Sequence, residues 1–243
     1  MNAWDWALIL TVSVMGTAVA YLRNPEHKAF VLMLPIPFTF ALLTVGKPLD
    51  ATNVWAMLLM FGYTVAAWAL YVRLKLPIVV AIVIAVAGYC LIGTGITSLQ
   101  LTGDGHFWLA TVVTFAVGVA LIRWLPYREE PHHRTPLPLW IKFPAIVMVI
   151  LGVLQIKNQL GGFTTAFPMV GVVATYEARY SLWTNVRRIP WILVLVIPMM
   201  ICIRCLQPQL GMGWALALSW VVYLAGLGVF HMISRKAFVE EAD

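Results

Sequence analysis

Runs of about twenty mostly apolar residues follow one another through this chain with only short polar segments between them. Within hydrocarbon a backbone must satisfy its own polar groups, and a helix does so inside one segment. The runs therefore predict an all-α polytopic membrane protein. The expected spans are 4–22, 28–46, 53–72, 77–98, 107–125, 139–157, 164–185, 190–206 and 212–233, which makes nine. Composition agrees: 62% of the 243 residues are hydrophobic and 11% charged, and the mean hydropathy is +0.89. A soluble domain of this length needs more charge to cover its surface. Residues 1–243 are read as a single integral membrane domain, with no length left for a soluble one.

The segments between spans alternate in charge. One set holds twelve basic residues, from Arg23 and Lys28 through Arg73, Lys142 and Arg187–Arg188 to Arg235 and Lys236. The other set holds three, Lys47, Lys157 and Arg204. The basic set belongs on the cytoplasmic side, which places the N-terminus outside and the C-terminus in the cytoplasm, with a bacterial cytoplasmic membrane as the expected location. The net charge of +6 is thus a loop property, and it offers no groove to nucleic acid. Trp4, Trp6, Trp108, Trp124, Trp140, Trp183, Trp191 and Trp214 fall near span ends, where amphipathic rings settle. The first run ends in Ala18-Val19-Ala20, but MNAWDW before it has no basic residue, so it is read as a retained span and not a signal peptide. Three cysteines exclude a disulfide-rich scaffold.

Landmarks recur between the halves. Trp6 and Gly16 match Trp108 and Gly118, Lys28 and Lys142 open spans 2 and 6, and Gly46 and Gly161 close them. Arg73 and Arg187 then close spans 3 and 7, and Pro77 and Pro190 open spans 4 and 8. The expectation is two parallel four-span repeats, 1–98 and 107–206, plus a terminal helix at 212–233 and a tail at 234–243. An outer loop, 99–106, joins the halves. Within the second, the linker at 127–138 carries three prolines and His132–His133, and reads as solvated polar chain and not a metal site.

The residues that could carry chemistry concentrate in 161–188. Glu177 and Arg179 lie inside an apolar run, and an ionisable residue in a membrane costs at least about 2.5–3.5 kcal/mol. At about 1.5 Å per residue Glu177 comes some 18–20 Å along span 7, near the midplane. Glu177, Tyr180 and Thr184 would share one face, with Arg179 beside Thr175, Tyr176 and Trp183 on the other. Spaced two apart, Glu177 and Arg179 cannot pair within their helix, so each needs another helix, water or a ligand. Glu177 is then a coupling carboxylate or half of a structural ion pair. Arg179 is an anion clamp, a structural counter-ion or a snorkelling side chain.

Gln155, Lys157 and Asn158 end span 6 in a polar cluster, and Gly161-Gly162, Thr164, Thr165 and Pro168 follow. A hairpin dipping into the membrane there would aim a helix N-terminus inward as an anion site. The alternative is an ordinary outer turn. The first half has its counterpart around Asp50 and Asn53, where Asp50 reads as a helix N-cap or the residue before it, with Thr52 and Asn53 as alternative caps. Pro35 and Pro37 interrupt span 2 in mid-membrane. Cys202 and Cys205, with Cys90 at similar depth, read as buried apolar side chains and not as a redox or metal centre. Small residues such as Gly16, Gly88, Gly93, Gly95 and Gly228 suit close helix packing.

No metalloprotease, serine hydrolase or nucleotide-binding motif is present, and no cofactor or metal is expected. The function read from the sequence is a small transporter or channel for a small solute or ion. Tyr176, Tyr180, Arg179 and Glu177 belong to its coupling region. Gln155, Lys157, Asn158, Thr164 and Thr165 form an outer entrance, and Pro35, Pro37, Asp50 and Asn53 lie along the path. The alternative is a non-catalytic subunit or assembly factor with a partner membrane chain or a second copy. A membrane-embedded enzyme is the third reading.

Overall fold

The computed structural model describes residues 1–21, 31, 33–101, 103–126, 130 and 138–240. Arg23, Lys28, Arg128, Arg134 and His132–His133, with nearly all of the linker, lie outside the described residues, as do the side chains of Arg235 and Lys236. Among the described residues every regular element is helical. In order they are α1 (Ala3–Tyr21), α2 (Ile36–Val45) and α3 (Ala51–Trp68), which runs on through a π turn (Ala69–Arg73). Then come α4 (Ile78–Ser98), α5 (Asp104–Trp124), α6 (Leu139–Leu160), a 3₁₀ segment (Gly161–Ala166), α7 (Met169–Glu177) and α8 (Leu182–Glu240).

Among the described residues five helical stretches are long and apolar enough to cross a membrane: Ala51–Arg73, Ile78–Ser98, Asp104–Trp124, Trp140–Ala166 and Leu182–Met232. The last has 51 residues, which would extend about 76 Å if straight. It reverses instead at Gly211, whose φ of 73° and ψ of 168° leave the helical region. The ring of Trp191 lies 4.7 Å from that of Phe230, so the limbs 182–210 and 212–240 run antiparallel. The turn falls between the spans predicted at 190–206 and 212–233.

The distribution of side chains inverts that of a soluble protein. Leu91, Val112, Met148 and Val221 are exposed near the middle of long helices, whereas Asp5, Asn53, Thr114, Thr165 and Ser219 are buried. An apolar exterior around a partly polar interior is what a bilayer, not water, accommodates. Exposed Trp4, Trp6, Trp108, Trp124, Trp140 and Trp214 fit membrane interfaces. Trp183 does not: it is buried against Trp68, 4.8 Å between ring centroids, and donates to the Pro126 carbonyl at 3.0 Å.

α3 is the hub, packing against α4, the 3₁₀ segment, α5 and α8. α1 packs on α2 and α6. Its Gly16 allows this, since a Cβ there would meet Ile146 and Val170. Gly93 and Gly118 likewise sit at close contacts, but Gly88, Gly95 and Gly228 face open space and do not serve as packing positions within this chain.

Two sequence expectations are corrected. Span 7 is not one helix over 164–185: a 3₁₀ segment, the short α7 and a turn at 178–181 replace it. The turn exists because the Glu130 carboxylate caps the start of α8, accepting from Trp183 N at 3.1 Å, Thr184 N at 2.7 Å and Thr184 Oγ1 at 2.9 Å. A negative charge at a helix N-terminus meets its free N–H groups and dipole. The interruption expected in span 2 does fall at the prolines, since Pro35 ends one segment and α2 starts at Ile36. Pro37 falls in the first turn of α2, where its missing N–H costs no bond. Pro190 does not open a span but lies inside α8.

Candidate functional site: a cavity between two helix breaks

Among the described residues the 3₁₀ segment is a fully enclosed connection between helices. Gly161 to Ala166 are all buried, and so is Leu160 before them. Backbone placed there needs partners, and three side chains from other helices supply them. Asn53 Nδ2 donates to Gly162 O at 3.4 Å and Thr165 Oγ1 at 3.2 Å. Tyr89 OH donates to Phe163 O at 2.7 Å, and Thr97 Oγ1 to Leu160 O at 2.9 Å. Thr164 Oγ1 reaches Lys157 O at 3.3 Å, and Thr165 Oγ1 reaches Gly162 O at 2.7 Å.

Both glycines of the pair are required. Gly161 adopts φ 54° and ψ −128°, a region that side-chain-bearing residues avoid. At Gly162 a Cβ would lie 2.6 Å from Asn53 N and closer still to Thr52 Oγ1. The partner helix starts there by design of its own cap. Asp50 Oδ1 accepts from Thr52 N at 2.8 Å, and Asn53 Oδ1 accepts from Asp50 N at 2.8 Å. Asp50 is therefore the N-cap of α3, as expected from sequence, and its carboxylate is committed to the cap.

After the 3₁₀ segment, Phe167 and Pro168 break the chain before α7 begins at Met169. This break and the one at Pro35–Pro37 border one cavity of about 200 Å³. α3 contributes Met57, Met60, Tyr63 and Thr64; α8 contributes residues from Asn185 to Val196, about 16 Å of helix. The lining is mainly apolar and rich in methionine. Its hydroxyls already have protein partners: Thr64 Oγ1 donates to Phe61 O at 2.7 Å and Tyr63 OH to Thr175 Oγ1 at 3.3 Å. Arg188 also lines the cavity, and no carboxylate pairs with it among the described residues.

The predicted site residues separate into groups. Pro35, Pro37 and Thr165 line the cavity. Asn53 and Thr164 hold the 3₁₀ segment behind it. Gln155 and Asn158 are exposed. Lys157 is bound to the buried Asp5, Nζ to Oδ1 at 2.6 Å, locking α6 to the start of α1. Glu177 does not line the cavity. It ends α7 and forms an ion pair with Lys142, whose side chain is 7% exposed against 14% for its own. Lys142 is in the first turn of α6, so the pair sits towards one end of the bundle and not midway. The carboxylate at the α7 C-terminus opposes the helix dipole, and the ammonium compensates. Arg179 lies in the 178–181 turn between the Tyr176 and Tyr180 rings, its Cζ 5.1 and 4.9 Å from their centroids. The shared face of Glu177, Tyr180 and Thr184 does not form, because the helix ends at Glu177.

Contacts also sort the polar residues by end. Asp5, Leu49, Asp104, Lys157, Arg204 and Gln207 connect at one end, where Arg204 pairs with Asp104 and donates to Leu49 O at 2.8 Å. Arg73, Glu130, Lys142, Glu177 and Trp183 make their contacts at the other. Among the described residues no group of three His, Cys, Asp or Glu side chains is placed to hold a metal ion, and Cys90, Cys202 and Cys205 are free thiols. The sequence reading missed Arg188 and Asn185 by assigning them to the end of span 7 and its loop. An earlier start for the last helix, at Leu182, places both on a helix wall. The chain matches no protein-family model, no curated protein and no solved structure.

Proposed function

We propose that this protein is a small membrane transporter or channel for a small solute or ion, with its pathway through the cavity between the two helix breaks. The observation that supports the reading is that the interruptions at Pro35–Pro37 and Phe167–Pro168 border the same space. Discontinuous helices meeting at a common site are how membrane transporters expose backbone groups to a substrate. In this reading nine spans form two four-span halves plus a terminal helix in a bacterial cytoplasmic membrane, N-terminus outside and C-terminus in the cytoplasm. The Lys142–Glu177 pair serves as the coupling element: protonation of Glu177 releases Lys142 and unlocks α7 from α6. Proteoliposomes loaded with a pH-sensitive dye, under imposed gradients of small anions, cations and neutral solutes, test this. A solute-dependent flux lost in Glu177→Gln is expected; no flux above that of protein-free liposomes for any solute overturns it.

A second reading, a fixed subunit of a larger membrane complex, is favoured by Arg179. This cation, held between Tyr176 and Tyr180 in a turn at the edge of the bundle, suits a partner chain. Co-purification of one partner chain in fixed ratio, lost in Arg179→Ala, would carry that reading.

A further inference from the structure

We infer that the cavity binds an amphipathic anion, an apolar chain or ring system carrying a single carboxylate or phosphate group that pairs with Arg188. The inference rests on reading the cavity as the solute site and names the class of solute. Three observations carry it. Met57, Met60, Met169 and Ile192 give the cavity an adaptable apolar wall, since unbranched methionine side chains fit themselves to varied apolar shapes. The hydroxyls of Tyr63, Thr64 and Thr165 on the wall donate to protein acceptors, so a sugar or a polyol would find few partners there beside Thr175 and Asn185. Arg188 supplies charge without an ion-pair partner among the described residues, while the carboxylates of Asp5 and Glu177 are held by Lys157 and Lys142. No described carboxylate lines the cavity. A guanidinium stays charged and presents a planar fork of donors that matches a carboxylate or phosphate in two parallel bonds. A neutral apolar solute would leave that charge unanswered, and a cation would be repelled.

The test uses the full chain in phosphatidylcholine nanodiscs and dodecanoate bearing a photoactivatable diazirine on its chain. Labelling is expected on Met57, Met60 and Met169, displaced by plain dodecanoate at roughly one tenth or less of the concentration needed for dodecanol. Arg188→Gln should erase that preference while keeping dodecanol-displaceable labelling. Arg187→Gln, the same charge change at a residue off the cavity wall, should leave it intact. If Arg188→Gln loses all labelling, Arg188→Lys decides: a retained preference supports the assignment and a lost one overturns it. Absence of cavity labelling, equal displacement by acid and alcohol, or an unchanged preference in Arg188→Gln also overturns it. Adding phosphatidylglycerol to the nanodiscs separates the sources of the anion. Reduced labelling assigns the site to a lipid headgroup and unchanged labelling to a water-borne amphiphile. Arg188-dependent binding without flux in proteoliposomes sinks the transport reading and leaves this one standing; flux without that dependence does the reverse.

Discussion

The two breaks that border the cavity are made in opposite ways. At Pro35–Pro37 the interruption is covalent in origin. Pro35 turns the chain, and its carbonyl accepts both Thr39 N at 3.0 Å and Thr39 Oγ1 at 2.9 Å, while α8 adds Tyr223 OH donating to Met33 O and Trp220 Nε1 donating to Thr39 Oγ1 at 3.0 Å. At 161–168 the interruption is tertiary. Its carbonyls are satisfied by Asn53, Tyr89 and Thr97, from two other helices. The proline rings impose the first break whatever packs against it, and the second depends on its tertiary partners. A protein that must keep one wall of a pathway fixed while the other responds has both kinds available.

Four substitutions would sharpen or break that contrast. Gly162→Ala should cost about 4–5 kcal/mol, because its Cβ collides with the backbone of α3 at Asn53 N as well as with the Thr52 hydroxyl. Loss of the monodisperse peak in detergent chromatography would report it; a normal peak and melting temperature would mean the segment is looser than described. Lys142→Met should cost about 3–5 kcal/mol by stranding Glu177 at the end of α7, with most of the loss recovered in Lys142→Met/Glu177→Met. Thermal unfolding followed by tryptophan fluorescence checks both, and an unrecovered double variant would show that the pair does more than neutralise charge. Asn53→Ala should cost about 1–3 kcal/mol, leaving buried acceptors of the 3₁₀ segment short of a donor. Pro37→Ala should cost less than about 1 kcal/mol, since its position in the first turn of α2 needs no N–H. A larger loss at Pro37 than at Asn53, measured by the same unfolding assay, would reverse the distinction between the two breaks.

The same contrast separates what could be read from the sequence from what could not. Pro35-Ile36-Pro37 and Gly161-Gly162 announce interruptions by covalent chemistry, and Asp50 announces a cap, so those features were legible. The apolar runs gave the membrane class and most helix bounds within a few residues. The break at 178–181 has no glycine or proline to betray it. It follows from Glu130, some fifty positions earlier, folding back to cap α8, and no local pattern carries that. Misplacing it hid Arg188 in a loop and put Glu177 at mid-membrane. The ion pair itself was half visible: the spacing of Glu177 and Arg179 required partners elsewhere, but nothing in the sequence singled out Lys142.

A pathway through the cavity requires that its wall be reachable from both sides of the membrane. In a protein with Cys90, Cys202 and Cys205 replaced by Ser, Met60→Cys on the cavity wall would be probed in liposomes with a membrane-impermeant thiol reagent, added outside or trapped inside. Leu91→Cys, on an exposed apolar face, serves as the lipid-facing control. Cys at position 60 is expected to react from both sides and Cys at position 91 from neither. Reaction at position 60 from one side only, or from neither, would contradict a pathway through the cavity.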